Sequence, residues 1–261
     1  MSNDQFVCFS IGENCLADNI LDRNGLKSFS SPFASSRSNI EYILDFEKEN
    51  YAHFIDTNFL KYECLDSGKK VPRNKKYVST QNKYNVSCAL GFEFTHHDVI
   101  DSEELRQTFI RRCERVRNLV NKNIIMLYHH RKCDQTDIGL LIHHLTDLAE
   151  IYESKQNKVD VFCFFQVIIS NEKERKVETY SIGRIHIYKF YTMHVWAGDD
   201  QDIFWARCDD DLLKTMVDDI KAKKGAKNAD SIRPTRRKIV IFVDKIWKII
   251  VEIFKRRTKN V

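Results

Sequence analysis

Glycine and proline are scarce: the chain of 261 residues holds 8 Gly and 3 Pro. Such a chain is neither collagen-like, linker-rich nor of low complexity. It carries no glycine fingerprint of the Walker or Rossmann kind, so no nucleotide held that way, and no other cofactor, is expected. Cysteines stand at 8, 15, 64, 88, 113, 133, 163 and 208, without a CxxC pair or a compact framework. Cys8 and Cys163 lie in apolar runs, where a reduced cysteine behaves as a small hydrophobe. That usage points to a reducing compartment and no structural disulfides. No apolar run approaches the ~20 residues that span a bilayer. The opening MSNDQFVCFS lacks the basic and apolar regions of a secretory signal, which leads us to expect a cytoplasmic protein. No RNP, KH or zinc-finger pattern appears, so no nucleic acid partner is expected.

What is present is ordinary for a globular protein, with 43% hydrophobic and 30% charged residues in a length that suits one large domain or two small ones. The net charge of +5 is unevenly placed. Residues 221–261 carry 14 Lys and Arg against Asp230, Asp244 and Glu252. Basicity is a property of the tail.

Hydrophobic periodicity predicts a strand at 6–9, a helix from about Cys15 to Arg23 stopped by Asn24-Gly25, and a helix over 38–51 capped by Ser38. Residues 52–100 read as irregular, with a basic surface loop over 66–83. A strong amphipathic helix follows over 102–121, then a strand at 123–128, a helix at 137–153 and an apolar strand at 159–169. Residues 170–180 read as a polar connection, 182–195 as a strand and 209–224 as a helix. Strand, helix and strand at this spacing predict an α/β fold, a mainly parallel sheet flanked by helices. We expect this domain over 1–225 and a basic linker with an amphipathic helix over 226–261.

The stretch 6–33 draws the first chemical interest. A strand, a Gly-containing turn and a helix beginning at Cys15 put a sulfur at a helix N-terminus, where free N–H groups favour a thiolate. Ser10-Ile11-Gly12-x-Asn14-Cys15, with Gly25-Leu26-Lys27 and Ser31-Pro32-Phe33, resembles a mainly bacterial, largely uncharacterised family described as putative papain-like cysteine peptidases. The resemblance covers roughly residues 6–205 and includes the pair His97-Asp98. Where the family continues Pro-Phe-Asp-Trp, this chain has Pro32-Phe33-Ala34-Ser35. The resemblance implies a thiol-dependent hydrolase or acyltransferase, with Cys15 as nucleophile, His97 as general base and Asp98 as the orienting acid. It also implies a connection with surface-glycan biosynthesis, and hence a peptide, acyl or glycan-linked substrate.

The residues leave alternatives open. Adjacent His97 and Asp98 on an extended strand would point to opposite faces, so Asp98 can instead cap the next helix. A nucleophile after the first strand is also how SGNH-type esterases begin, with Gly12 and Asn14 available to stabilise an oxyanion. Ser31 and Phe33 are candidate pocket residues beside Cys15, and Trp196 and Asp199 are candidate substrate contacts at a strand end. His129, His130 and Cys133 lack a second cysteine at zinc spacing, so hydrogen-bonded histidines are expected there and no metal. In 236–257 the polar residues fall on one helical face. Arg236, Arg237, Lys238, Lys255, Arg256 and Arg257 flank the apolar stretch, and Trp247 lies within it. That pattern fits a helix lying on an anionic membrane surface, or one docked on protein. The opposing reading of the whole chain is a non-catalytic, membrane-peripheral binding or scaffold protein.

Overall fold

The structure is a computed structural model that describes residues 6–65, 68–76 and 86–225. The proposed membrane residues Arg236, Arg237, Lys238, Trp247, Lys255, Arg256 and Arg257 lie outside the described residues. In chain order the elements are β1 (Phe6–Ser10), α1 (Cys15–Arg23), α2 (Ile40–Lys48), β2 (Leu60–Cys64), β3 (Lys70–Asn74), α3 (Val86–Ala89), β4 (Phe92–Glu93), α4 (Glu103–Arg117) and β5 (Asn123–His129). They continue with α5 (Ile138–Glu153), β6 (Lys158–Ile168), β7 (Lys176–Ile182), β8 (Ile185–Thr192), α6 (Gln201–Phe204) and α7 (Asp210–Gly225).

The main sheet has the order β1-β5-β6-β8-β7. Its first four strands run parallel, and β7 closes one edge antiparallel to β8. This is the α/β architecture expected. All seven residues of β5 are buried, because helices cover both sheet faces. Alternation along the strand divides the core. Ile124, Met126 and Tyr128 pack with residues of α2, α4 and α5, whereas Ile125 and Leu127 pack with α1 and α7.

Three expectations are corrected. Residues 52–100 contain a second sheet of order β2-β3-β4, antiparallel throughout. β3 falls inside the expected surface loop, yet Val71, Arg73 and Asn74 are buried. A buried Arg73 is affordable because its guanidinium meets the buried Glu93 carboxylate across the sheet. Paired charges of that kind hide a strand from hydrophobic periodicity. The polar stretch 170–180 likewise contributes to β7, an exposed edge strand that needs little apolar surface. Finally, α2 is capped by Asn39, whose side chain accepts from Tyr42 N at 3.0 Å, and not by Ser38.

One buried carboxyl ties α2 to α5. Glu47 accepts hydrogen bonds from the hydroxyls of Tyr51 and Tyr152, and burial raises its pKa above the ordinary carboxylate range. The folded protein therefore holds this proton more tightly than the unfolded chain. Its stabilising contribution is full below the ordinary pKa and is lost as pH rises through the raised one. In urea unfolding, the stability of wild type relative to Glu47→Gln should fall as pH rises from about 4 through the raised pKa. A difference that does not change with pH would contradict this account.

Candidate active site

The parallel strands end together at the β1–α1 turn and at the loop after β5, the edge of an α/β sheet where ligands bind. Gly12 turns with φ +109°, and a Cβ there would come within 2.5 Å of Ser38 Oγ, so both conformation and space require glycine. Backbone bonds then lock the turn to β5. His129 N donates to Gly12 O and Glu13 N to His129 O, each at 2.9 Å. Ser38 N donates to Glu13 O at 2.8 Å.

Glu13, completely buried, fills the centre of this junction. Its Oε1 accepts from Tyr128 OH at 2.8 Å and lies 2.8 Å from His130 Nδ1; its Oε2 accepts from Arg131 N at 2.9 Å. His130 Nε2 contacts Thr136 Oγ1 at 3.1 Å. One carboxyl group thus holds three residues within 128–131, at the end of β5 and just beyond it.

The next residue, Asn14, is the N-cap of α1. Its Oδ1 accepts from Leu16 N at 3.2 Å and lies 3.0 Å from His129 Nδ1. An amide oxygen only accepts, so Nδ1 carries the proton and Nε2 keeps a lone pair. The ring stacks on Phe164 with centroids 4.7 Å apart, and burial drives its pKa well below the ordinary value, with the Arg131 charge adding to the effect. His129 is therefore a neutral imidazole. It lies on the sheet face that α1 covers.

Cys15 opens α1 and is half-buried. Burial works against the expected thiolate here. Burial raises the Cys15 pKa, against the lowering effects of a backbone N–H bond and of the Arg37 and Arg131 guanidiniums. Ionisation thus depends on a base that accepts the proton. Among the described residues, no hydrogen bond or ion pair joins Cys15 to a histidine.

The other expected site residues divide. His97 follows β4, with its ring edge-on to Phe109 at 5.3 Å; burial lowers its pKa, and the Arg112 charge does the same. Asp98 does not turn toward it. The Asp98 carboxylate accepts from Tyr62 OH at 2.6 Å and from Ile100 N at 3.1 Å, fixing the turn before α4, while Ser102 caps that helix. Ser31 is buried and its hydroxyl donates to Ser10 O at 2.6 Å; Phe33 is buried in an aromatic cluster with Tyr51, Phe54 and Phe92. Trp196 is also buried, donating from Nε1 to Asp209 Oδ2 at 2.8 Å and packing against His129. Asp199 is exposed in the loop before α6. Among the described residues, no three His, Cys, Asp or Glu side chains cluster to hold a metal ion, and no helix is long and apolar enough to cross a membrane.

Sequence reasoning missed Glu13 and the roles of His129 and Asn14 toward each other. A glutamate in a Gly-containing turn carries no signal of burial, and the residues it meets are more than 100 positions away.

Fold and site define an α/β protein whose cysteine opens a helix at the carboxyl edge of a parallel sheet, next in sequence to an asparagine that holds a neutral histidine. The chain belongs to the family described as putative papain-like cysteine peptidase, whose model matches residues 6–172. That match includes Cys15, His97 and His129 and stops before β7. No curated protein and no solved structure matches the chain significantly.

The Glu13 junction makes a stability prediction. Glu13→Ala leaves a buried histidine, a tyrosine hydroxyl and a backbone N–H without their acceptor and should cost about 3 kcal/mol or more in urea unfolding. Glu13→Gln, which still accepts, should cost less. Equal and small losses for both would show that the junction is held by its backbone bonds alone.

Proposed function

We propose that Cys15 is the nucleophile of a thiol-dependent hydrolase acting on a peptide bond or a related acyl group. His129 is the general base, and Asn14 fixes its tautomer. The observation that carries this reading is the bond between Asn14 Oδ1 and His129 Nδ1, one residue before Cys15. Cysteine, histidine and amide are the three groups a thiol acyl transfer needs. His129 Nε2 takes the thiol proton, and the sulfur attacks the carbonyl carbon. The leaving amine receives the proton, and water then cleaves the thioester. The free N–H groups of the first turn of α1, with Gly12 and the Asn14 amide beside them, are the proposed oxyanion donors. The exposed Asp199 is a proposed substrate contact; the buried Ser31 supports the site through Ser10 O and the buried Trp196 through the His129 ring, while Phe33 belongs to the core.

The second reading keeps His97 as base with Asp98 as its acid, and the family resemblance of that pair favours it. A peptidyl vinyl sulfone, which alkylates an activated thiol, separates the two. Labelling of Cys15, read by mass spectrometry, should disappear in Cys15→Ala and fall about 100-fold in His129→Ala, with His97→Ala near wild type. Loss in His97→Ala alone would move the base to His97. No labelling of wild-type Cys15 would favour a binding module.

We also propose, from sequence alone, that residues 236–257 attach the protein to an anionic membrane surface, where a glycan-linked substrate would be met. Full-length protein should float with phosphatidylserine-containing liposomes, and a chain ending at residue 233 should not. Equal flotation of the two would exclude that role.

A further inference from the structure

β7 forms one edge of the main sheet, and β1, which leads into the Cys15 turn, forms the other. All residues of β7 except Val177 are exposed, and the strand pairs with β8 along its whole length without a bulge. Val161 N donates to Arg184 O and Ile169 N to Thr192 O, each at 3.0 Å, so the even-numbered positions along β8 turn their backbone groups toward β6. The odd-numbered ones turn toward β7, where Ile187, Lys189 and Tyr191 meet Tyr180, Glu178 and Lys176. The N–H and C=O groups of Val177, Thr179 and Ser181 therefore point off the sheet. Among the described residues, no backbone bond from a loop or another strand engages them.

Open edges are commonly guarded by proline, by a bulge or by charges standing along the strand. The charges of β7 are instead drawn back over β8. Glu178 accepts from Tyr191 OH at 2.8 Å and is paired with Lys176 Nζ at 2.8 Å, and Lys176 lies 4.8 Å from the centre of the Tyr191 ring. On the same sheet face, Tyr180 and Ile182 are 42% and 50% exposed. Unpaired backbone groups thus lie beside apolar side chains.

The strand is also complementary to itself. Two copies laid antiparallel about Thr179 pair Thr179 with Thr179, Val177 with Ser181, Glu178 with Tyr180 and Lys176 with Ile182. The residues that point off the sheet then become the hydrogen-bonded pairs, so each open N–H and C=O meets its complement. No like charges face each other, and Tyr180 and Ile182 are covered by side chains of the second copy. Centring the pair on Glu178 would set two carboxylates opposite each other and run Ser181 past the end of the strand.

We infer that β7 is a self-association edge, through which two copies of this chain join antiparallel about Thr179 and continue the sheet across a two-fold axis. The Cys15 turn follows the strand at the opposite edge, so the inference is independent of the chemistry proposed there.

Sedimentation of the full-length protein from about 1 to about 300 µM should show a mass rising from one chain toward two, the weak association of a contact smaller than a standard interface. Thr179 is exposed and faces its own copy across the axis. Thr179→Glu and Thr179→Lys should each weaken association roughly fivefold, because like charges then meet. An equimolar mixture of the two at low salt should restore it. In wild type, hydrogen exchange at the amides of Val177, Thr179 and Ser181 should slow as concentration rises. A wild-type chain that stays single over this range would overturn the inference. So would association unchanged in both variants, as a contact through residues 226–261 would give, or folded variants whose mixture stays monomeric. Amides that exchange equally fast at both ends of the range would overturn it even where a variant fails to fold.

Discussion

The Glu13 carboxylate is the constraint on which the rest of the site depends. It is removed from water, so its oxygens must be satisfied within the protein, and the donors come from Tyr128, His130 and the backbone of Arg131. Those three residues fall within 128–131, at the end of β5 and just after it, while Glu13 itself sits in the turn after β1. Satisfying one buried carboxyl group therefore fixes the relative position of two neighbouring strand ends. It does so at the edge of the sheet, where a parallel α/β fold has its ligand-binding crevice. The glycine before it and the asparagine after it complete the arrangement: Gly12 lets Ser38 approach, and Asn14 reaches His129.

Two opposing effects meet at Cys15. The first turn of α1 and two guanidiniums favour the anion, and burial opposes it; burial wins. A helix N-terminus contributes about 1 kcal/mol at a surface, whereas removal from water can shift a group by several pKa units. The same burial that raises the Cys15 pKa lowers that of His129.

The sequence was read correctly where burial is apolar and local. β1, β5 and β6 stand out as apolar runs, and α1, α4 and α5 show their faces at helical spacing. The parallel order followed from strand, helix and strand at crossover length. It was read poorly where a polar residue is buried by pairing. Arg73 against Glu93 makes a strand of a segment that looks like a basic loop, and Asn39 caps α2 while Ser38 is bound through its backbone N–H to Glu13 O. The same rule governs Asp98: its neighbour in sequence is His97, but its partner in space is Tyr62.

By itself, then, the sequence determined the class of fold, the place of Cys15 at the start of a helix, and a family signature concentrated in residues 6–33. These are consequences of hydrophobic spacing and of turn chemistry, and both act over a few residues. The tertiary structure alone decided which histidine stands against Asn14, what Glu13 is bonded to, and that burial works to raise the pKa of the thiol. Those outcomes depend on groups more than 100 residues apart in the chain brought within 3.0 Å. They depend equally on the depth of burial, and no spacing rule in a single sequence encodes either.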